Sequence, residues 1–342
     1  MSDTPRPTPD ILATARDWLD RDGRVAVATI VDTWGSAPVP VGGQMVIASD
    51  SRFEGSVSGG CVEGEVITEA MELLEEGGKP KALAYGVEDE TAWRVGLPCG
   101  GRIRVHVQRL EGPVDRSFLD TAVAARSKRE ALIVDTDLTS GTRRVFARHE
   151  AGQADDIARR FLSGQSGIVP GESGERFVQA LLPPARVLIV GATHMAQSLA
   201  AFVREVGYDV TVIDPRTAFA APARFPGVTL VTDWPQDALP RLGLDPYTAL
   251  AALSHVGHID DEALKLAVAS ECFYIGALGS RKNHAKRTER LLAAGVSEAQ
   301  IARIRCPIGL DIGAATPPEI AASVLAEIIR HLRGAKGKGA AG

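Results

Sequence analysis

The C-terminal half of the chain alternates short apolar runs with amphipathic stretches. Apolar runs of four or five residues predict buried strands, and apolar positions at helical spacing predict helices between them, the first over 195–205. The predicted strands cover 186–190, 210–213, 229–231, 248–253 and 273–275. Because strand and helix alternate, this half is predicted to form a Rossmann-like, doubly wound parallel sheet. Its ligand site should lie at the carboxyl ends of the strands.

The N-terminal half has a less regular pattern, which predicts a mixed α/β domain. Helices are predicted over 11–19 and 62–74, whereas glycine and proline throughout 34–43 exclude a regular element there. The predicted strands cover 25–31, 44–47, 102–108, 131–134 and 143–147. The fold class is therefore α/β, with two domains of different construction.

Glycine and serine dominate 163–175, a composition typical of flexible surface segments. The domain boundary is predicted near this segment. We expect an N-terminal domain over 1–150, a linker region over 151–184, the Rossmann-like domain over 185–333 and a disordered tail over 334–342.

Composition excludes several classes of protein. Of the 342 residues, 45% are hydrophobic and 24% are charged, as in ordinary globular proteins. A net charge of −5 without a basic stripe argues against nucleic acid as a partner. No apolar run is long enough to cross a membrane, and the first residues lack the apolar region of a secretory signal. Four cysteines without pairing motifs favour a reducing compartment, so we expect a cytoplasmic protein.

The most informative segment is a glycine-rich turn before the second predicted helix. Gly59 and Gly60 allow close approach of a ligand, and the free N–H groups at a helix start favour an anion. Cys61 lies near that helix start, where the helix dipole favours a thiolate. Ser58, Gly59, Gly60 and Cys61 are therefore predicted to bind a ligand that carries phosphate.

A second thiol occurs in a similar setting, where Cys99 precedes Gly100 and Gly101. Two cysteines in glycine turns suit a phosphate-bearing ligand with a soft metal or sulfur centre, and Cys61 and Cys99 are the candidate metal contacts. A purely structural role is the alternative for both. The remaining cysteines, Cys272 and Cys306, are predicted to pack in the protein interior.

The first turn of the Rossmann-like half resembles an incomplete dinucleotide fingerprint. Gly191 and Ala196 occupy two of the three glycine positions acceptably, but Thr193 places a β-branched side chain where a pyrophosphate would approach. Asp214 ends the next strand, where an acid can bind ribose hydroxyls, although Arg216 equally favours a phosphate. A Rossmann-like domain that binds no nicotinamide is the competing interpretation.

Two later loops carry further candidates. Gly279, Ser280 and Arg281 follow a buried strand and are predicted to bind a phosphate or carboxylate, whereas a simple helix cap at Ser280 is the alternative. Asp311 lies in the long loop before the last helix and is that loop's candidate for ligand binding.

Taken together, these segments make the chain resemble the XdhC/CoxI family nearly from end to end. The resemblance rests on Gly35-Ser36-Ala37-Pro38, Gly55–Glu63, Cys99-Gly100-Gly101, Asp214-Pro215-Arg216, Gly276–Arg281, Pro307–Ala314 and Pro317–Ile320. It implies a protein that binds molybdenum cofactor (molybdopterin or its nucleotide form), protects the sulfurated cofactor and delivers it to an apo molybdenum hydroxylase of the xanthine dehydrogenase type.

The chain departs from the family pattern at two places. Thr193 replaces the middle glycine of the fingerprint while His194 is kept, and Val39 stands where the family usually has arginine. His194 is retained as a candidate contact to the cofactor. The first departure disfavours NAD(P) or flavin binding, and the second removes a cation beside the N-terminal turn.

Three functions are therefore compared. The first is a non-catalytic maturation chaperone, whose partners would be the apo hydroxylase and cofactor-biosynthesis proteins. The second is an NAD(P)- or flavin-dependent Rossmann oxidoreductase. The third is a cofactor sulfurase, in which Cys61 or Cys99 carries a persulfide and is catalytic. A homodimer is one arrangement that would supply a second wall to a glycine-rich cleft.

Overall fold

The computed structural model describes residues 10–35, 37–86, 101–150, 157, 160–161, 164–172 and 174–337. The chain forms two compact units, one within Thr8–Pro183 and the other within Pro184–Gly342. Each unit has its own sheets and its own apolar clusters. None of the helices within the described ranges combines the length and hydropathy that a membrane-spanning segment needs.

The N-terminal unit is built on a five-stranded antiparallel sheet with the order β3-β2-β1-β5-β4. Its strands are β1 (Arg24–Trp34), β2 (Gln44–Ile47), β3 (Phe53–Gly55), β4 (Lys81–Tyr85) and β5 (Arg102–Glu111). Its helices are α1 (Ile11–Asp22), α2 (Glu63–Glu76) and α3 (Gly112–Ser127). One apolar cluster includes the inward positions of α2, and another includes those of α1 and α3, so each side of the sheet has its own core.

A bulge in β1 changes which side chains face α2. The register between β1 and β5 shifts between Ile30 and Asp32. Before the shift, Ile30 belongs to the apolar cluster beneath α2. After it, Thr33 pairs with Ile103 of that cluster, so Asp32 and Trp34 face the other side of the sheet.

A second antiparallel sheet completes this unit, with the order β7-β6-β9-β8. Its strands are β6 (Leu132–Asp137), β7 (Arg143–Ala147), β8 (Gly167–Pro170) and β9 (Glu175–Leu181). The buried His106 Nε2 lies 3.1 Å from Leu138 O, and Gln179 Nε2 donates to Gly42 O at 3.1 Å. Polar contacts therefore join this sheet to the first.

The predicted linker region is wrong for its second half. β8 and β9 lie inside 151–184, and β9 pairs with every residue of β6, from Leu132 to Asp137. Several glycines and serines of this segment, Gly164, Ser166, Gly171 and Gly174 among them, lie outside these two strands, and they gave the segment the composition of a linker. The helix α3 was also missed, although Pro113 in its first turn is a known start signal.

The C-terminal unit is a six-stranded parallel sheet with the order β12-β11-β10-β13-β14-β15. Its strands are β10 (Arg186–Val190), β11 (Asp209–Ile213), β12 (Thr229–Val231), β13 (Thr248–Ala252), β14 (Tyr274–Ala277) and β15 (Ile304–Arg305). This is a doubly wound order, in which ligands bind where the order reverses, here between β10 and β13. The prediction of a Rossmann-like parallel sheet is confirmed.

Six helices connect and cover these strands. They are α4 (His194–Glu205), α5 (Pro235–Leu242), α6 (Gly257–Val268), α7 (Arg281–Ala293), α8 (Glu298–Ile301) and α9 (Pro317–Gly337). One apolar cluster joins α4 and α9 to one face of the sheet, and another joins α5 and α6 to the other face. Because α9 continues to Gly337, the prediction of a disordered tail is wrong for 334–337, and 338–342 lie outside the described residues.

Candidate functional site

The glycine-rich turn before α2 is organised around the carboxylate of Glu63. Glu63 Oε1 accepts hydrogen bonds from Ser56 Oγ at 2.6 Å, Val57 N at 3.2 Å and Ser58 N at 2.9 Å. Oε2 accepts from Ser58 Oγ at 2.5 Å and from Gly60 N at 2.9 Å. Five donors of one short loop therefore converge on one side chain.

The other backbone donors of the loop are also used internally. Gly59 N donates to Ser56 Oγ, and the amides of Cys61 and Val62 donate to Ser58 Oγ, each at 2.9 Å. Gly59 and Gly60 have φ values of +76° and +110°, a conformation that glycine adopts at little cost. The loop is thus preorganised by its own hydrogen bonds.

These bonds correct the expected role of the turn. The amides of Ser58, Gly59 and Gly60 were predicted to bind a phosphate, but each donates to a side chain of the loop itself. Burial alone would raise the pKa of Glu63, whereas the hydrogen bonds from Ser56 and Ser58 lower it to about 2. A permanent carboxylate occupies the position of the predicted anion.

Glu63 is the residue whose role sequence reasoning missed. An acidic residue three positions after a helix-capping residue is the signature of a capping box, in which the acid binds the amide at the cap. Gly60 and Glu63 have this spacing, and Oε2 accepts from Gly60 N, but the residue at the cap of α2 is Val62 and Glu63 is the first residue of the helix. The contact is therefore not a capping box, and the spacing alone does not identify it.

Cys61 follows the loop and is half-buried. Its side chain packs against the apolar cluster beneath α2, as does Ala37 of the preceding glycine-proline turn. A side chain at Gly59 would lie 3.5 Å from Pro38 of the same turn, so the structure brings these two sequence motifs together. Cys61 is accordingly presented next to solvent by a rigid loop.

The second predicted thiol site is only partly within the described residues. Cys99 and Gly100 lie outside them, and Gly101 is buried immediately before β5. In the part of the chain that the structure describes, no cluster of three or more histidine, cysteine or acidic side chains is placed to hold a metal ion. Cys61 and Cys99 as metal contacts remain a prediction.

In the Rossmann unit, Gly191 permits two turns to touch at the point where strand order reverses. Its φ is +105°, and a Cβ atom there would lie 2.4 Å from both the Cα and the N of Ser254. Ser254 belongs to the turn after β13. The glycine is therefore required by the packing of these turns, independently of any dinucleotide.

The remaining fingerprint groups are engaged with one another. Thr193 caps α4 by accepting a hydrogen bond from Ala196 N at 3.3 Å. Asp214 is fully buried and accepts from Ala192 N at 2.7 Å. Arg216 supplies three further bonds to Asp214, from its N, Nε and Nη2 atoms, at 3.0, 2.9 and 2.7 Å.

Asp214 therefore cannot serve as the predicted ribose contact in this conformation. A carboxylate accepts about four hydrogen bonds, and all four are supplied by the protein. Burial alone would raise the pKa of Asp214, but the Arg216 guanidinium and two backbone amides lower it below its ordinary value. The pair fixes the turn after β11 to the turn after β10.

The loop after β14 ends in a helix cap, and a buried arginine of α7, Arg287, contacts this loop. Ser280 caps α7 by accepting from Asn283 N at 3.3 Å, which confirms the simpler alternative for that residue. Arg281 is exposed at the first position of α7. Cys306 donates to Gly279 O at 3.4 Å and accepts from Arg287 Nη1 at 3.6 Å. Gly279 and Cys306 are thus joined.

Arg287 also approaches Asp260, a buried acid in the first helical turn of α6. Its Nη2 lies 3.8 Å from Asp260 Oδ2 and donates to Leu278 O at 2.9 Å. Asp260 accepts from Ser254 Oγ at 2.6 Å and from Ser254 N at 3.2 Å, and burial raises its pKa despite these bonds. Asp260 thus binds the loop after β13, Arg287 binds the loop after β14, and the contact between the two side chains connects these loops.

Two predicted contacts lie apart from these clusters. His194 is exposed at the first position of α4, with Nδ1 3.2 Å from Gln197 Oε1. Asp311 is exposed in the loop that precedes α9. Nothing in the structure excludes either residue from binding a ligand, and both remain predictions.

Comparison with known proteins gives matches to both units. A model of the XdhC and CoxI family matches residues 18–86, and a model of the XdhC Rossmann domain matches residues 187–328. A protein of Bacillus subtilis strain 168, described as a probable subunit of xanthine dehydrogenase, is 30% identical over 328 residues, which cover 93% of this chain and 96% of that protein.

Two further relatives extend this similarity. The molybdenum cofactor insertion chaperone PaoD of Escherichia coli K12 is 29% identical over 319 residues, 93% of this chain and 86% of that protein. The crystal structure of a xanthine dehydrogenase from Bacillus halodurans superimposes with a TM-score of 0.73 at 24% identity, covering 97% of this chain and 98% of that chain. The latter likeness establishes the fold.

Proposed function

The chain belongs to the XdhC and CoxI family, and from this membership we propose that it is a maturation factor for a molybdenum hydroxylase of the xanthine dehydrogenase type. It binds molybdenum cofactor as cargo, shields it from water and oxidation, and releases it into the apo-enzyme. The observation that carries this proposal is the similarity to an insertion chaperone through both units, 93% of this chain.

Cys61 is the proposed contact to the metal or its sulfur. A thiolate is the protein ligand that soft metal centres prefer. Cys61 is half-buried at the end of a loop whose donors are already satisfied, so the thiol can be offered without rearrangement of the backbone. Cys99 is proposed as a second contact on the basis of sequence alone.

The cargo's phosphate requires donors other than the loop amides, because these amides bind Glu63. Those donors would be side chains. Side chains can move away as the cargo leaves, whereas a fixed cluster of amides would retain the phosphate. This arrangement suits a protein that must give up its ligand.

A dinucleotide-dependent oxidoreductase is the weaker alternative. Its fingerprint would use the amides after Gly191 for the pyrophosphate and Asp214 for the ribose. Ala192 N and Asp214 instead bind each other, and Thr193 caps α4. The geometry therefore favours a Rossmann unit with a structural first turn.

The proposal includes two kinds of partner. Cofactor-biosynthesis proteins would load the chain, and the apo hydroxylase would receive the cargo. A homodimer that gives the site a second wall stays a prediction.

The test is co-expression with the enzymes of molybdenum-cofactor biosynthesis, anaerobic purification, and measurement of molybdenum and pterin per chain. We expect near-stoichiometric cofactor in the native chain and a loss of at least tenfold in Cys61→Ser. Cys306→Ser is the matched control, because that thiol is also partly buried but lies in the other unit.

The same experiment separates the competing roles of the thiol. If Cys61→Ser retains cofactor that has lost its terminal sulfur, the thiol carries sulfur and the chain is a sulfurase. If the variant retains intact cofactor, Cys61 is structural. Native chain without any molybdenum would contradict the maturation function itself.

A further inference from the structure

A cleft of about 440 Å³ lies at one end of the five-stranded sheet in the N-terminal unit. Its walls are the last residues of β1 and β4 and the first residues of β5, including Asp32, Trp34 and Arg102. Its size lies within the range of small-molecule sites. None of the residues predicted from sequence to bind the cofactor lines it.

One row of the cleft presents an aromatic ring held by an arginine. Trp34 pairs with Arg102 across the sheet, and the Arg102 guanidinium carbon lies 4.6 Å from the centroid of the Trp34 ring. A Cβ atom at Gly86 would lie 2.3 Å from Arg102 Cγ, so the glycine leaves room for the arginine stem. The Trp34 side chain nevertheless remains 64% exposed, so most of its surface is open to a ligand.

The next row presents a carboxylate. Asp32 is exposed and, among the residues that the structure describes, has no hydrogen-bond or ion-pair partner. It lies opposite Arg104, but both terminal nitrogens of Arg104 bind Glu175, at 2.7 and 3.2 Å. Asp32 and Trp34 alternate along β1 and therefore share a face of the sheet, about 7 Å apart.

We propose that this cleft binds an amino-pyrimidinone ring. The ring stacks on Trp34, since tryptophan accepts any flat heterocycle. The adjacent ring N–H and amino groups donate to Asp32. Pterins and guanine nucleotides share this ring edge, whereas adenine presents one donor beside an acceptor. The assignment to pterin rests on the proposed function.

The position of the cleft agrees with a role in cargo binding. Trp34 leads directly into the glycine-proline turn, and four residues span at most about 14 Å between Trp34 and Pro38. Pro38 lies beside Gly59 of the loop that presents Cys61. The ring site and the thiol thus flank one turn of the same unit, with Trp34 on the side of the sheet away from α2 and Cys61 on the side of α2.

The test is isothermal titration calorimetry of the reduced full chain with 6-carboxypterin, guanosine 5′-monophosphate and adenosine 5′-monophosphate. We expect 6-carboxypterin to bind at least tenfold more tightly than adenosine 5′-monophosphate. Guanosine 5′-monophosphate decides the source of the ring: comparable affinity assigns the cleft to guanine nucleotides as well, and weak binding assigns it to pterins. Equal affinity for all three, or none, would overturn the proposal.

Variants locate the binding. Trp34→Ala and Asp32→Asn should each weaken 6-carboxypterin binding about tenfold, because one removes the stacking surface and the other the charged acceptor. Both positions are exposed, so thermal unfolding should stay near that of the native chain. Trp234→Ala removes an exposed tryptophan from the other unit and should leave affinity unchanged. Unaltered affinity in Trp34→Ala would also overturn the proposal.

These results are separable from a failure of the proposed function. If the chain binds 6-carboxypterin at Trp34 but acquires no molybdenum on co-expression, the ring site is supported and the proposed function is contradicted. If the native chain and Trp34→Ala acquire equal amounts of molybdenum cofactor, the proposed function is supported and the ring site is contradicted.

Discussion

Replacement of Glu63 by glutamine is expected to destabilise the N-terminal unit by about 3 to 4 kcal/mol at neutral pH. The pKa of the carboxylate falls from 4.5 to about 2 on folding, and each pKa unit corresponds to about 1.4 kcal/mol, which gives about 3 kcal/mol. The amide of glutamine adds a donor that faces Ser58 Oγ or Gly60 N, which are themselves donors, and this mismatch adds to the loss.

The sign of the pH dependence follows from the same shift. Because the folded pKa of Glu63 lies below its unfolded value, the folded state gains stability from the charged form at every pH above about 4.5. That gain disappears as the pH falls from 4.5 towards 2. Glu63→Gln should therefore remove part of the acid sensitivity of the N-terminal unit in this window.

Thermal and urea unfolding monitored by circular dichroism measure the effect. A loss of about 3 kcal/mol lowers the midpoint of a unit of this size by about 10 °C. Glu65→Gln is the matched control: Glu65 is exposed in the first turn of the same helix, and its loss should cost about 0.3 to 1 kcal/mol. Equal midpoints for the two variants would refute the reasoning.

Chemical rescue gives an independent test. Glu63→Ala leaves five hydrogen-bond donors around a space of carboxylate size. Sodium formate should therefore raise the unfolding midpoint of Glu63→Ala more than sodium chloride does, and should not do so for the native chain. An equal response of both proteins to formate would show that the loop has collapsed in the variant.

Two further predictions concern stability. Gly191→Ala should destabilise the Rossmann unit by about 3 kcal/mol or more, because its Cβ would lie 2.4 Å from Ser254. The control is Gly295→Ala, where φ is +84° and no atom lies within 4 Å of the added Cβ. It should cost about 1 kcal/mol, and thermal unfolding measures both. Burial lowers the pKa of His106 to about 4, so folding stability should fall by up to about 3 kcal/mol as the pH drops from 6.5 to 4. His106→Gln, which can still donate to Leu138 O, should flatten urea-unfolding stability across that window, and an unchanged slope would contradict it.

The elements that were predictable are those whose pattern follows from burial alone. β10 lies in the centre of a parallel sheet, is buried throughout and reads as an uninterrupted apolar run, so its bounds were predicted without error. β8 and β4 are short and only partly buried, and their residues carry too little periodic signal to separate them from loops.

The candidate site was predictable in position but not in chemistry. A glycine turn before a helix indicates that backbone donors converge, and Ser58–Gly60 has that geometry. The pattern does not indicate whether the acceptor comes from a ligand or from the chain, and Glu63 supplies it from within. The Trp34 cleft was missed because the row of Trp34, Arg102 and Gly86 exists only after the strands pair.

One arrangement recurs in both units and bears on how the chain handles a ligand. Glu63 accepts the amides of the turn before α2, Asp214 accepts Ala192 N, and Asp260 accepts Ser254 N. In these three turns, backbone donors that could otherwise bind an anion are thus bound by a carboxylate of the same unit. A resident nucleotide needs such donors open, since they supply much of the fixed positive potential that holds a phosphate.

In the proposed function, the N-terminal unit would hold its cargo through two side chains that can rearrange, the Cys61 thiol and the Trp34 ring. Contacts of this kind can give selectivity for the ring and the sulfur of a cofactor while leaving its phosphate loosely held. The phosphate is then the part that a receiving enzyme can capture first. A carrier of this kind would bind its cargo less tightly and release it more easily. In the thiol loop, this property follows from Glu63, because its carboxylate binds the backbone donors that could otherwise hold the phosphate.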